Sequence, residues 1–134
     1  MRLGINYKQV EAADYEAIRQ FLSGVGWQHR VADSAKFTQM MENTNRAVIA
    51  TENDRIIGFA RALCDGVSNG YISMVAVAPD KRGQGIGREM VSQLMEDQSG
   101  ETITWMLRAG RDSKAFWEKL GFNSSILAME KPRK

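Results

Sequence analysis

The stretch Tyr71–Met95, YISMVAVAPDKRGQGIGREMVSQLM, decides how the rest of the chain is read. Tyr71–Val77 is short, apolar and β-branched enough for a buried strand, and Pro79 stops it by removing a backbone donor. Gly83, Gly85 and Gly87 then alternate with Arg82, Gln84, Ile86 and Arg88. Beyond them Ile86, Met90, Val91, Leu94 and Met95 recur at the three- and four-residue spacing of one helix face. A strand, a glycine turn and a helix in this order leave several N–H groups free at the helix start, with the positive end of the helix dipole behind them. That is a site for phosphate. The competing reading is a strand–helix turn whose small residues serve packing alone.

Two phosphate loops are excluded by spacing. No Lys–Ser or Lys–Thr pair follows the glycines, so there is no G-x-x-x-x-G-K-[ST]. In a G-x-G-x-x-G pattern counted from Gly83 and Gly85, the third glycine falls on Arg88. Composition narrows the class further. The chain has 134 residues, 43% hydrophobic and 25% charged, which suits one globular domain over 1–134. A formal charge of +2 gives no reason to expect nucleic acid, and the basic end Lys131-Pro132-Arg133-Lys134 reads as a solvated tail. One cysteine, Cys64, and one histidine, His29, exclude a disulfide framework and an ordinary zinc site. No signal-like leader and no bilayer-length apolar run is present, so the expected compartment is the cytoplasm, with no membrane partner.

Around the central stretch, Leu3–Val10 reads as a strand. Asp14 reads as the cap of a helix running to about Ser23, and Gly24 and Gly26 as its end. Trp27–Arg30 reads as a loop, and Ser34 as the cap of a second helix carrying Phe37, Met40 and Met41. Ala47–Thr51 and Ile56–Leu63 form a predicted hairpin about the polar turn Glu52–Arg55. Asp65-Gly66 and Asn69-Gly70 are turn signals leading into the central strand. After Ser99-Gly100, Thr102–Leu107 reads as a strand, Ser113–Leu120 as a helix ended by Gly121, and Ile126–Lys131 as a last strand. Hairpins mixed with strand–helix crossovers indicate an α/β or α+β chain.

Arg82–Gly87 matches [Q/R]-x-x-G-x-[G/A], which resembles the pyrophosphate motif of the GNAT superfamily of acyl-CoA-dependent N-acetyltransferases. Val75-Ala76-Val77-Ala78-Pro79 is similar to the strand that leads into it. Ile56-Ile57-Gly58-Phe59-Ala60-Arg61 resembles the family's "liGf.R" strand, Phe116–Phe122 its "F-Y-E-K-L-G-F" segment, and Met129-Glu130-Lys131 its closing "M-x-K". These matches run from about residue 47 to the end, and the first 45 residues fit by element order only. The resemblance implies a twisted mixed sheet of about six to seven strands flanked by four helices. It implies acetyl-CoA as acyl donor and direct attack by a primary amine, from a small molecule or a peptide, in a ternary complex. A non-catalytic CoA-binding regulatory module of the same fold is the alternative. A bulge in the central strand would splay it from the next one and admit the pantetheine arm. Val75, Ala76 and Val77 would then pair with the arm, and Arg82, Gly83, Gln84, Gly85, Ile86, Gly87 and Arg88 would cradle the pyrophosphate. Phe116, Trp117 and Lys119 would line the channel, and homodimers are frequent in the fold.

The sequence departs from the family where proton transfer is concerned. The residue after Phe116, a tyrosine in many members, is Trp117, whose indole N–H is not a usable acid. An Asn found six residues before that Phe is Gly110. The remaining catalytic candidates are Tyr71 as an acid, Asp65 as a base or amine holder, and His29 as a base. The bland readings for the first two are a core tyrosine and an Asp-Gly turn. Candidates for acceptor contact are Trp27, weighed against core or lid packing, Arg61, weighed against flanking the sheet, Asp65 and Ser73.

Overall fold

The computed structural model describes residues 4–96, 102–124 and 128–133. Five strands make one sheet in chain order: β1 (Ile5–Gln9), β2 (Arg46–Glu52), β3 (Arg55–Cys64), β4 (Asn69–Val77) and β5 (Thr104–Leu107). The first four are antiparallel neighbours, and β5 joins β4 in parallel. Parallel pairing requires a crossover, which α4 (Ile86–Met95) supplies. The remaining helices are α1 (Tyr15–Leu22), the single turn α2 (Gln28–Val31), α3 (Ser34–Glu42) and α5 (Lys114–Lys119). Four of the five thus exceed one turn.

The alternation of side chains along the strands explains the two layers. On one face Val48, Ala60, Ala62 and Ile72 pack with Ile86, Met90, Val91 and Leu94 of α4 and with Trp117 of α5. On the other, Ile49, Phe59, Met74 and Ala76 meet Ile18 and Leu22 of α1 and Phe37 and Met41 of α3. Gly58 lets α4 approach β3: a Cβ there would lie 2.9 Å from Met90 Cε. The predicted hairpin turn is tight because Asn53 (φ 51°) and Asp54 (φ 65°) both adopt the left-handed conformation that matches strand twist.

Four sequence expectations are corrected. Trp27–Arg30 is not a loop: the chain passes through a π turn, Ser23–Trp27, kinked at Val25 and at Gly26 (φ 106°), and re-enters α2. α1 thus ends about where Gly24 and Gly26 were expected to end it, and Gly26 turns the chain into α2. Asp33, not Ser34, caps α3, accepting from Lys36 N–H at 3.0 Å. Asp14 does stand at the N-cap of α1 as expected, although its carboxylate makes no cap bond there and accepts from the Glu11 N–H (2.9 Å) in a capping box one turn earlier. The sheet has five strands among the described residues, against the expected six to seven. In the expected last strand, Ile126 and Leu127 lie outside the described residues, as do Ser99 and Gly100. Ala128–Lys131 is described and forms no strand. All four of those residues are exposed, Met129 at 92%, so the segment buries no face that would hold a strand in register.

Candidate functional site

The site begins where β4 loses a neighbour. β4 pairs with β3 from Gly70 to Val77, but with β5 only from Asn69↔Thr104 to Ile72↔Leu107. The β3 ladder slips at the same point: Arg61 faces Met74 and Ala62 faces Ile72, leaving Ser73 as the extra, bulged residue. Beyond Ser73 one edge of β4 is open among the described residues. Ala78 N–H donates to Ile57 C=O (2.8 Å), on the β3 side. Backbone groups alternate along a strand, so the amides and carbonyls of Val75 and Val77 project to the open edge.

The open edge runs directly into the glycine turn. After the 3-10 turn Pro79–Lys81, Gly83 (φ 78°) and Gly85 (φ 84°) occupy left-handed backbone that side chains rarely adopt. Gly85 caps α4 without a side-chain acceptor, and the first helical bond comes from Glu89 N–H to Gly85 C=O (3.0 Å). The amides of Ile86, Gly87 and Arg88 therefore lack intrahelical partners at the positive end of the dipole. Gly87 is small for a different reason: a Cβ there would approach Phe116 Cζ to 3.3 Å.

Edge and turn form one side of a cleft of about 1360 Å³. Its floor is Ile72, Val75, Val77, Leu107 and Phe116. The cationic side chains on it are Arg30, Lys81, Arg82, Arg88, Arg108, Arg111, Lys119 and Arg133, against one acid, Asp112. Lys81 is paired with Glu52 (2.5 Å) and Arg108 with Glu130, and Arg82 Nε donates to the Val77 carbonyl (3.3 Å). A chain with a formal charge of only +2 thus concentrates positive charge in one place. Glu130, with a smaller contribution from Tyr71, raises the pKa of Arg108.

The sequence candidates divide between cleft and surroundings. Val75, Ala76, Val77, Arg82, Gly83, Gly85, Ile86, Gly87, Arg88, Phe116, Trp117 and Lys119 line the cleft, as do Trp27, Tyr71 and Ser73. Gln84 belongs to the turn but not to the lining. Trp117 is buried edge-on against Phe116 (4.9 Å) and Phe122 (5.4 Å), a packing residue that also forms cleft wall. Tyr71 is half exposed at the mouth of the splay. His29 is exposed on α2 and outside the lining.

Asp65 also lies outside the lining. Its carboxylate accepts from the amides of Val67, Ser68 and Asn69 and from Ser68 Oγ, and these bonds hold its pKa well below the usual carboxylate value. A carboxylate so satisfied is a turn-former and a poor base.

Arg61 is buried on the helix α1–α3 face. Its Nε donates to Thr44 Oγ1 (3.0 Å) and its Nη1 to Ser73 Oγ (2.9 Å). Burial first, and the Arg30 charge second, push its pKa below the ordinary arginine value. Sequence reasoning missed Arg30, Arg108, Arg111 and Arg133. Arg30 stacks over the Trp27 ring (5.6 Å), an R near a W on one helical turn that was a readable signal. Arg133, expected in a solvated tail, is exposed yet lines the cleft.

Comparison with known proteins agrees with this geometry. Residues 9–131 match the family model described as an acetyltransferase (GNAT) domain. The chain is 32% identical over 108 residues to an uncharacterized N-acetyltransferase, ycf52, of Pyropia yezoensis, covering 78% of this chain and 62% of that protein. It therefore spans less than two thirds of the length of that relative. A PanD regulatory factor of Salmonella typhimurium is 26% identical over 95 residues, covering 68% of this chain and 74% of the factor. Among solved structures, a predicted acetyltransferase with acetyl-CoA from Clostridium acetobutylicum superposes with a TM-score of 0.76. It has 20% identity and coverage of 96% of both chains. An aminoglycoside acetyltransferase from an uncultured soil sample gives 0.75 at 19% identity, over 98% of this chain and 100% of that one. At such identities the structural likeness speaks for the fold alone. With residues 9–131 of the chain matching the family model and the glycine turn and the splayed β4 edge in place, the chain belongs to the GNAT acetyltransferase family.

Proposed function

We propose that this protein transfers an acetyl group from acetyl-CoA to a primary amine. The observation that carries the reading is the continuity of the β4 edge, open from Ser73, with the glycine turn and its unpartnered helix amides. A pantetheine arm offers amide groups that would continue the sheet along Val75 and Val77, as an added strand does. Its diphosphate would meet the amides of Gly83–Arg88 and the cationic lining. The open-edge N–H of Val75 or Val77 would donate to the thioester oxygen and stabilise the charge that develops on it.

In the transfer itself, the neutral amine attacks the acetyl carbon and a C–N bond forms. The carbonyl oxygen takes the electron pair, and its return expels the CoA thiolate as the C–S bond breaks. The amine's surplus proton leaves to solvent and the thiolate is protonated. Trp117 cannot supply that proton. Tyr71, half exposed beside the splay, is the phenol available to do so. Holding donor and acceptor in one geometry accounts for much of the rate and needs no unusual side chain.

A second reading is favoured by the likeness to a regulatory factor and by the placement of Asp65 and His29 outside the cleft. On that reading the chain binds acyl-CoA without turnover and acts on another protein. Thiol release on a panel of primary amines with acetyl-CoA decides between them. Amine-dependent release supports transfer. Acetyl-CoA binding without release on any amine supports the regulatory reading.

A further inference from the structure

Arg61 carries a charge that the fold does not answer. It is 7% exposed, the buried charged residue among the described ones. Both its hydrogen bonds go to neutral hydroxyls, Thr44 Oγ1 and Ser73 Oγ, and no carboxylate pairs with it among the described residues. A guanidinium has five N–H donors, so these two bonds leave others, including both on Nη2, without an acceptor among the described residues. After burial, the larger charge acting on it is a second cation, Arg30, with Tyr71 opposing it more weakly. Buried unpaired charge is costly and is kept where something answers it.

The surroundings indicate what would answer it. Arg61 lines a hollow of about 360 Å³ with Lys36, Gln39, Met40, Asn43 and Leu63. Hollow and cleft share a wall: Arg61 bonds Ser73, which lines the cleft, and Leu63 of the hollow faces Tyr71 of the cleft across the β3/β4 ladder. Leu63, Tyr71 and Met106 stand in register on three adjacent strands and are 42%, 38% and 51% exposed, an uncovered apolar row. A buried cation, an apolar row and the start of the open β4 edge thus lie about one strand spacing apart, roughly 5 Å.

We infer that Arg61 receives the carboxylate of the acceptor, so that the amine acetylated belongs to a molecule bearing an acid group beside an apolar body. The inference rests on the transferase reading for the word "acceptor". The anion site itself does not. A purely structural Arg61, tying the end of α3 to the bulge, would bind no ligand and would not discriminate between amines.

The test is calorimetric titration of the full chain with phenylacetate and, as the uncharged control, benzyl alcohol, with and without saturating acetyl-CoA. Wild type should bind phenylacetate at least about tenfold more tightly than Arg61→Gln does, with benzyl alcohol and acetyl-CoA affinities alike in both. Arg61→Lys should retain part of the phenylacetate affinity. In thiol release, phenylalanine should exceed phenethylamine, and tyrosine tyramine, by roughly tenfold or more in kcat/KM on wild type, a preference lost in Arg61→Gln. The wild-type comparisons stand even if the variant fails to fold. Phenylacetate binding no tighter than benzyl alcohol, or a variant that weakens both members of a pair equally, overturns the inference. Arg61-dependent phenylacetate binding without turnover of any amine would keep the anion site and remove the transferase reading instead.

Discussion

Gly85 and Gly87 stand two residues apart and are small for different reasons. At Gly85 a Cβ would meet nothing within 4 Å, and the constraint is its φ of 84°. At Gly87 the backbone is ordinary and Phe116 fills the space. Gly85→Val should therefore cost about 1–3 kcal/mol of stability through strained backbone. It should also weaken acetyl-CoA at least about tenfold by placing a branched side chain over the anion cradle. Thermal unfolding and calorimetry separate the two effects, and native affinity in a folded Gly85→Val would move the pyrophosphate elsewhere. Asp65 makes a different prediction. Its folded pKa lies below the ordinary 3.8, chiefly because of Ser68, so its contribution to stability is present above that value and is lost as pH falls through the folded value. The Tm gap between wild type and Asp65→Asn should hold from neutral pH to about 4 and close in stronger acid, as scanning calorimetry across pH would record.

Among the elements, β4 has two chemically distinct edges. Ala76 and Ala78 lie in the β3 ladder, whereas Val75 and Val77 turn their amides to the cleft. Ala76→Pro should remove a ladder bond and destabilise the sheet, by about 3 kcal/mol or more. Val77→Pro removes only an edge donor, a position where proline is tolerated, and should lower acetyl-CoA affinity with the smaller loss of Tm. Unfolding and binding measurements on the pair test this; equal losses of stability would mean that Val77 N–H is spent on the fold. Much of this element was legible beforehand. Pro79 marked its end, the glycine run its turn, and the periodicity from Ile86 its helix. A bulge in this strand was implied by the family resemblance, but its place at Ser73 was not legible, because that depends on the register of two strands rather than on either alone. Gly24 and Gly26 did mark the end of α1, but nothing local announced the turn α2 that follows, whose Val31 is held in the core by tertiary packing.

For the whole molecule, net charge was a poor guide to charge placement. Arg30, Arg82, Arg88, Arg111, Lys119 and Arg133 come from segments far apart in sequence and meet only in the folded cleft. The same is true of Arg61, whose burial follows from the cover that α3 and the bulge provide rather than from its neighbours in the chain. A cleft of this sign predicts that acetyl-CoA affinity falls several-fold between about 50 mM and 500 mM salt, as counter-ions screen the exposed cations. Acetyl-pantetheine, without the phosphates, should show little change. Calorimetry at the two salt concentrations makes the comparison, and equal salt dependence of the two ligands would remove the cationic lining from the account.

The most direct test of the central claim, that the open β4 edge and the glycine turn form an acyl-CoA site, is titration of the purified chain with acetyl-CoA at neutral pH. One site per chain with a micromolar dissociation constant, about 8 kcal/mol, is expected, and its loss in Gly85→Val. No heat of binding at millimolar acetyl-CoA would contradict it.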